Sequence, residues 1–196
     1  MRRLESLLSS KIFIITLLVL PGLWMAWPLL NGDPTVAADP LKFILHHLGF
    51  TASVILAIVL SLSPLRVIFP KSRLVLALNR HRRLIGVTVF VYVVLHVTAH
   101  FLYEGGFATF PADIEKPFIL TGLIAFAILF LLAITSLNRA VRWLGARRWK
   151  WLHRLVYVAA VLVVYHQIYA RKIFPVQVLW IFLPLVALEL MRMVLS

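Results

Sequence analysis

Apolar residues in this chain come in long unbroken runs, without the alternating or three-to-four spacing of soluble strands and helices. Six runs are long enough to cross a bilayer: residues 12–30, 43–63, 84–103, 118–137, 151–169 and 176–195. Inside hydrocarbon the backbone N–H and C=O groups must be satisfied within each segment, so the runs predict helices, and the dyad alternation of barrel strands is missing. The predicted fold class is all-α: a polytopic membrane protein, a bundle of six transmembrane helices forming one domain over residues 1–196. Pro21 lies inside the first run and predicts a kink there. No internal repeat stands out.

Composition narrows the function classes. Of the 196 residues, 62% are hydrophobic and only 14% charged, and mean hydropathy is +0.97. A soluble domain is about half apolar and a quarter charged, so an ordinary water-soluble enzyme is excluded. Each crossing uses about 20 residues, which leaves no room for a separate soluble catalytic domain and puts any chemistry inside the bundle. The chain has no cysteine. That removes disulfides, thiolate zinc, iron–sulfur clusters and covalently attached haem.

The net charge of +13 is distributed as a topology signal, with no basic domain that would suit nucleic acid. All but Lys42, Lys116, Arg171 and Lys172 of the 20 Lys and Arg residues fall in the N-terminal segment, in loops 64–83 and 138–154, or at Arg192. Those four share the opposite side with Asp33, Asp39, Glu104, Asp113 and Glu115. The positive-inside rule then predicts that both termini are cytoplasmic. Trp24, Trp27, Tyr103, Tyr165 and Tyr169 mark the outer interface, and Trp143, Trp149 and Trp151 the inner one.

The chemistry-bearing residues are histidines. His46, His47, His96, His100 and His166 lie within the apolar runs, where ionisable groups are costly and read as functional. At a rise of ~1.5 Å per residue, His46, His100 and His166 lie roughly 6 to 8 Å below the outer surface, and His96 about 12 Å below it. Three different helices thus bring imidazoles to one layer. Neutral imidazoles on facing helices can hold a b-type haem without covalent attachment. His96 and His166 are the preferred axial ligands, with His46 a further candidate and His100 the rival of His96 on its own helix. His47 points away from His46 and reads as structural. Gly49 and Gly86 remove side chains where a flat ring or a neighbouring backbone would approach.

His153 opens the fifth run at the inner interface. On an ideal helix it is ~20 Å and about 220° from His166, so it points to a second cofactor near the cytoplasmic side. His81, in a loop flanked by arginines, is a poor place for an axial ligand.

The segments ADPLKFILHHLG, RRLIGVTVFVYVVLHVTAHFLYE and WLHRLVYVAAVLVVYHQIY, in that order, closely resemble the MsrQ (YedZ) family. These are the haem-binding membrane subunits of the bacterial periplasmic methionine sulfoxide reductase system. The LH of the third run, with two histidines 13 apart in the fifth, is similar to the wider ferric-reductase-like transmembrane superfamily. The resemblance implies haem-associated roles for His96, His153 and His166, and matches His46 to the family's second-span histidine. It implies haem b, one or two, together with FMN, in the bacterial inner membrane. It also implies electron transfer from the quinone pool, or from a cytoplasmic flavin reductase, to a soluble periplasmic molybdopterin enzyme, MsrP. Methionine sulfoxide would be reduced on that partner. No Gly-rich dinucleotide fingerprint occurs, so this chain is expected not to draw on NADPH by itself.

One haem in the outer layer leaves most of a ~30 Å core uncrossed, so the inner side needs quinol or a second cofactor. His153 with Arg82, Arg83, Arg147 and Arg148 is where a flavin phosphate or second haem is expected. Glu104, Asp113 and Glu115 form a candidate docking rim for the soluble partner. Two other classes compete: a cytochrome b anchor of another membrane oxidoreductase, and a non-redox transporter or assembly factor. The latter would be colourless, and the paired broken helices common in transporters are missing.

Overall fold

The computed structural model describes residues 7–106 and 110–195. Arg2 and Arg3, part of the predicted inner charge, lie outside the described residues. Among those described, every regular element is an α-helix: α1 Lys11–Trp24, α2 Ala26–Leu30, α3 Pro34–Ala37, α4 Pro40–Ile68, α5 Arg73–Arg80, α6 Arg82–Tyr103, α7 Phe110–Ile114, α8 Pro117–Thr135, α9 Asn138–Leu152, α10 Leu155–Tyr169 and α11 Gln177–Leu195. Starts are set by local chemistry. Ser10, Asp39 and Ser72 accept from backbone N–H groups of the first turns of α1, α4 and α5. Pro40 and Pro117 stand at first-turn positions, where a missing N–H costs nothing.

Among the described residues five spans are long and apolar enough to cross a membrane, α1 with α2 (Lys11–Leu30), α4, α6, α8 and α11, and α9 with α10 makes a sixth if that bent pair is one span. The expected fifth run is therefore corrected. It is not one helix from residue 151, because the chain turns at His153 and Arg154, and α9 and α10 meet at 47°. There Arg154 N–H donates to the Trp151 carbonyl, three residues back, in place of an α-helical bond. α10 alone, at ~1.5 Å per residue, spans only about 22 Å of a ~30 Å core.

Both expected inner loops are largely helical. α4 runs through Pro64 to Ile68, and Asn79 on α5 donates to the Leu62 carbonyl at 3.0 Å. Residues 138–152 form α9, interrupted at Gly145, whose φ of 73° only glycine adopts readily. Its Trp143 and Trp151 are 85% and 69% exposed among arginines, the pattern of a helix lying in the interface. The first run is one candidate span, Lys11–Leu30, within which α1 ends at Trp24 and the chain turns at Met25 before α2.

Contacts group the helices into two compact units. One reaches from the N-terminal helices to Glu104 and takes in the end of α11 from Pro184; the other covers Gly105–Leu183. In the first, α4 is central and packs on α6. Leu45, Ala52, Leu56 and Val59 on α4 and Ile85, Val89, Tyr92 and Ala99 on α6 are buried at three-to-four spacing. In the second, α8 packs on α10 through buried Ala125, Leu129 and Leu132 against Ala159 and Ala160. Small residues at these seams let the backbones come close, which in lipid replaces a hydrophobic drive.

Candidate haem-ligand histidines

His96 continues the buried stripe of α6 one turn after Tyr92, and so faces α4. Its Nδ1 lies 2.9 Å from the Leu45 carbonyl oxygen. A carbonyl can only accept, so Nδ1 carries the hydrogen and Nε2 the lone pair. Gly49, one turn after Leu45 on α4, makes this approach possible. A Cβ there would stand 2.9 Å from both Nδ1 and Cε1 of the ring, closer than real Cβ contacts allow. The ring thus rests against bare backbone, its orientation held by a hydrogen bond across the seam.

The second unit repeats the arrangement with other residues. His166 on α10 donates from Nδ1 to the Phe118 carbonyl at 2.7 Å. A Cβ on Gly122 would stand 2.7 Å from Nδ1 and 2.9 Å from Cε1. In both units the accepting carbonyl is one turn before the glycine, and a buried alanine, Ala52 or Ala125, follows it by three residues. A later leucine, Leu56 or Leu129, completes each stripe.

Metal-ligating histidines characteristically donate their other ring N–H to a carbonyl or carboxylate, which sets the tautomer and raises basicity. The donor set at His96 and His166 therefore fits haem iron. Each ring is locked by a backbone acceptor on Nδ1, which in the neutral imidazole leaves the lone pair on Nε2.

The family model described as "Ferric reductase like transmembrane component" matches residues 48–164. The chain's relatives include several named protein-methionine-sulfoxide reductase heme-binding subunit MsrQ. That of Ralstonia nicotianae is 38% identical over 83% of this chain and 73% of its own length. That of Polaromonas naphthalenivorans is 36% identical over 83% and 73%. That of Salmonella paratyphi B is 37% identical over 79% and 76%.

The chain belongs to the MsrQ family. It is a multi-pass protein of the bacterial inner membrane, built on the ferric-reductase-like transmembrane fold.

Within this MsrQ-family fold the other sequence-predicted residues stand differently. His153 is at the break between α9 and α10, so its expected 220° relation to His166 along one continuous helix does not apply. Its ring stacks on Trp149 at 4.0 Å, and its Nε2 lies 3.3 Å from Thr135 Oγ1. That hydroxyl donates to the Leu131 carbonyl at 2.7 Å, so it accepts from His153, whose tautomer is the reverse of that at His96 and His166. Trp149 Nε1 also donates to the Thr135 carbonyl at 3.0 Å, closing a small cluster. His46 is half-buried on α4, next to the carbonyl that holds His96. His47 turns the other way, its Nε2 2.6 Å from the Pro21 carbonyl, the structural role expected of it. His81 caps α5 and reaches the Ser9 carbonyl.

Arg82 donates to Ser63 Oγ in the C-terminal part of α4, whereas Arg83, Arg147 and Arg148 are exposed. Asp113 of the expected acidic rim is buried and paired with Lys116 at 2.8 Å, so its charge is largely spent within the loop. Among the described residues no three His, Cys, Asp or Glu side chains gather to hold a bare metal ion. Of the two glycines expected to admit a neighbour, Gly49 does so for the His96 ring, and Gly86 faces nothing within 4 Å. Gly122 and the Leu45 and Phe118 carbonyls escaped the sequence reading. The shared Gly-x-x-Ala of α4 and α8 is the signal that would have found the glycine.

Proposed function

We propose that this MsrQ-family chain binds haem b through His96 and His166 and relays electrons outward across the inner membrane, its termini cytoplasmic. The acceptor is a periplasmic MsrP-like catalytic subunit that reduces methionine sulfoxide. The donor is quinol or a cytoplasmic flavin reductase. One observation carries the reading: twice, a membrane histidine donates Nδ1–H to a backbone carbonyl beside a glycine that its ring could not otherwise approach. A histidine used only for packing or for protons needs neither a fixed Nε2 lone pair nor a side-chain-free wall. Haem supplies the one-electron carrier; the chain supplies two oriented imidazoles and an apolar bundle that excludes water.

His46 is the further candidate ligand on α4, and a second haem would use His153, whose ring must first leave Thr135. We assign the FMN phosphate to the basic inner residues Arg82, Arg83, Arg147 and Arg148. Arg147 and Arg148 are the ones to test, since Arg82 is already engaged by Ser63. Their joint replacement by alanine is expected to lower flavin bound per haem. An unchanged ratio removes flavin from that pair.

The relay itself is tested in membranes carrying the protein and reduced with quinol. Adding MsrP and methionine sulfoxide together is expected to reoxidise the reduced haem bands, and either alone is not. Reduced bands that persist with both present would exclude MsrP as the acceptor.

A further inference from the structure

Pro21 lies inside α1 and interrupts its hydrogen-bond ladder, and the gap is bridged by side chains from the two helices that hold His96. Proline has no N–H to continue the ladder. The next residue, Gly22, donates its N–H to the Tyr92 hydroxyl at 2.9 Å, and that hydroxyl donates to the Leu18 carbonyl at 2.8 Å. Leu18 C=O and Gly22 N–H are the pair an unbroken helix would join directly, so the phenol stands as a bridge between them. A Cβ on Gly22 would be 2.6 Å from the hydroxyl oxygen, so only glycine leaves room.

The Pro21 carbonyl also takes a side-chain donor: the Met25 N–H is directed to Leu23 where α1 ends, and His47 Nε2–H donates to Pro21 at 2.6 Å. Tyr92, only 5% exposed, is one turn before His96 on the same face of α6. His47 lies between Leu45 and Gly49 on α4. One turn of the first span is therefore bonded to both halves of the His96 cradle, beside the residues that make it.

We infer that the first span is a clasp on that cradle, with Tyr92 a positioning residue that sets the height and rotation of α6 against α4. The Nδ1 bond from His96 to Leu45, and with it the field at any iron on Nε2, follows from that setting. This rests on the ligand role proposed above for His96.

The test is made on the whole haem-loaded protein. Tyr92→Phe removes the bridging oxygen and little else. It is expected to keep haem within about twofold of wild type, because Leu45 and Gly49, which touch the His96 ring, are untouched. The low-spin EPR g-values of the His96-ligated haem are expected to shift, with amide exchange around Gly22 rising about tenfold as its N–H loses its acceptor. Gly22→Ala, which presses a methyl on the hydroxyl, is expected to give the same g-shift, and a smaller added one in the Tyr92→Phe background. Faster exchange with unmoved g-values would make Tyr92 a structural tie and overturn the proposal, as would unchanged exchange and g-values together. A wild-type protein without haem would instead overturn the ligand reading beneath it.

Discussion

Alanine at His96 or at His166 is expected to leave the purified protein with less than about a tenth of its haem. Losing the outer partner of a metal-bound histidine already costs about 10- to 100-fold in affinity, and losing the ligand removes the bond itself. Neither position has a ready substitute. His46 follows the Leu45 carbonyl on α4 instead of facing it from α6, and His153 is turned onto Trp149 and Thr135. The internal control is His47→Ala, which removes a membrane histidine hydrogen-bonded to the Pro21 carbonyl and is expected to retain the haem. The measurement is the pyridine haemochrome per protein, with bis-imidazole α and β bands in the reduced wild type. Full occupancy in both alanine variants would end the ligand assignment.

The glycines give the second large effect. Gly122→Ala is expected to lower haem affinity about 10- to 100-fold, the range seen when a ligand's outer contacts are disturbed. The new methyl would lie 2.7 Å from His166 Nδ1, the atom already tied to Phe118 at 2.7 Å, so the ring cannot yield without breaking that bond. Gly49→Ala presses on His96 at 2.9 Å and is expected to behave alike, somewhat more mildly. Gly86→Ala meets nothing within 4 Å and is expected to leave haem unchanged. Three alanines in apolar helices thus separate contact with the imidazole from any general effect of losing a glycine. Titrating haem into each variant in detergent reads the order directly; equal affinities across the three would show that the close approach has no bearing on binding.

Much of the architecture was legible in the chain itself. Span length and hydropathy are local quantities imposed by the bilayer, so the runs at 43–63, 84–103, 118–137 and 176–195 correspond closely to α4, α6, α8 and α11. The readings that missed lie in the basic segments between the spans. Amphipathic basic segments such as α5 and α9 look like loops when only apolar runs are counted, because their helices are stabilised by the interface and not by hydrocarbon. The break at His153 and Arg154 was invisible for a related reason. Run length carries no record of where a three-residue turn replaces a four-residue one.

The histidines could be picked out because an ionisable group within an apolar run is expensive wherever it points. Their chemistry could not. Which ring nitrogen carries the hydrogen at His96, His166 and His153 depends on the acceptor that a neighbouring helix presents, and that follows from how two helices are rotated and spaced along their seam. The same cause hid Gly122, an ordinary glycine in sequence and a wall for an imaginary Cβ in space. Composition and run length determined an all-helical membrane protein with imidazoles as its chemistry. Only the packing of α4 on α6 and of α8 on α10 decided which imidazoles are held against a backbone carbonyl, because a hydrogen bond across a helix seam is a property of two segments and is written in neither alone.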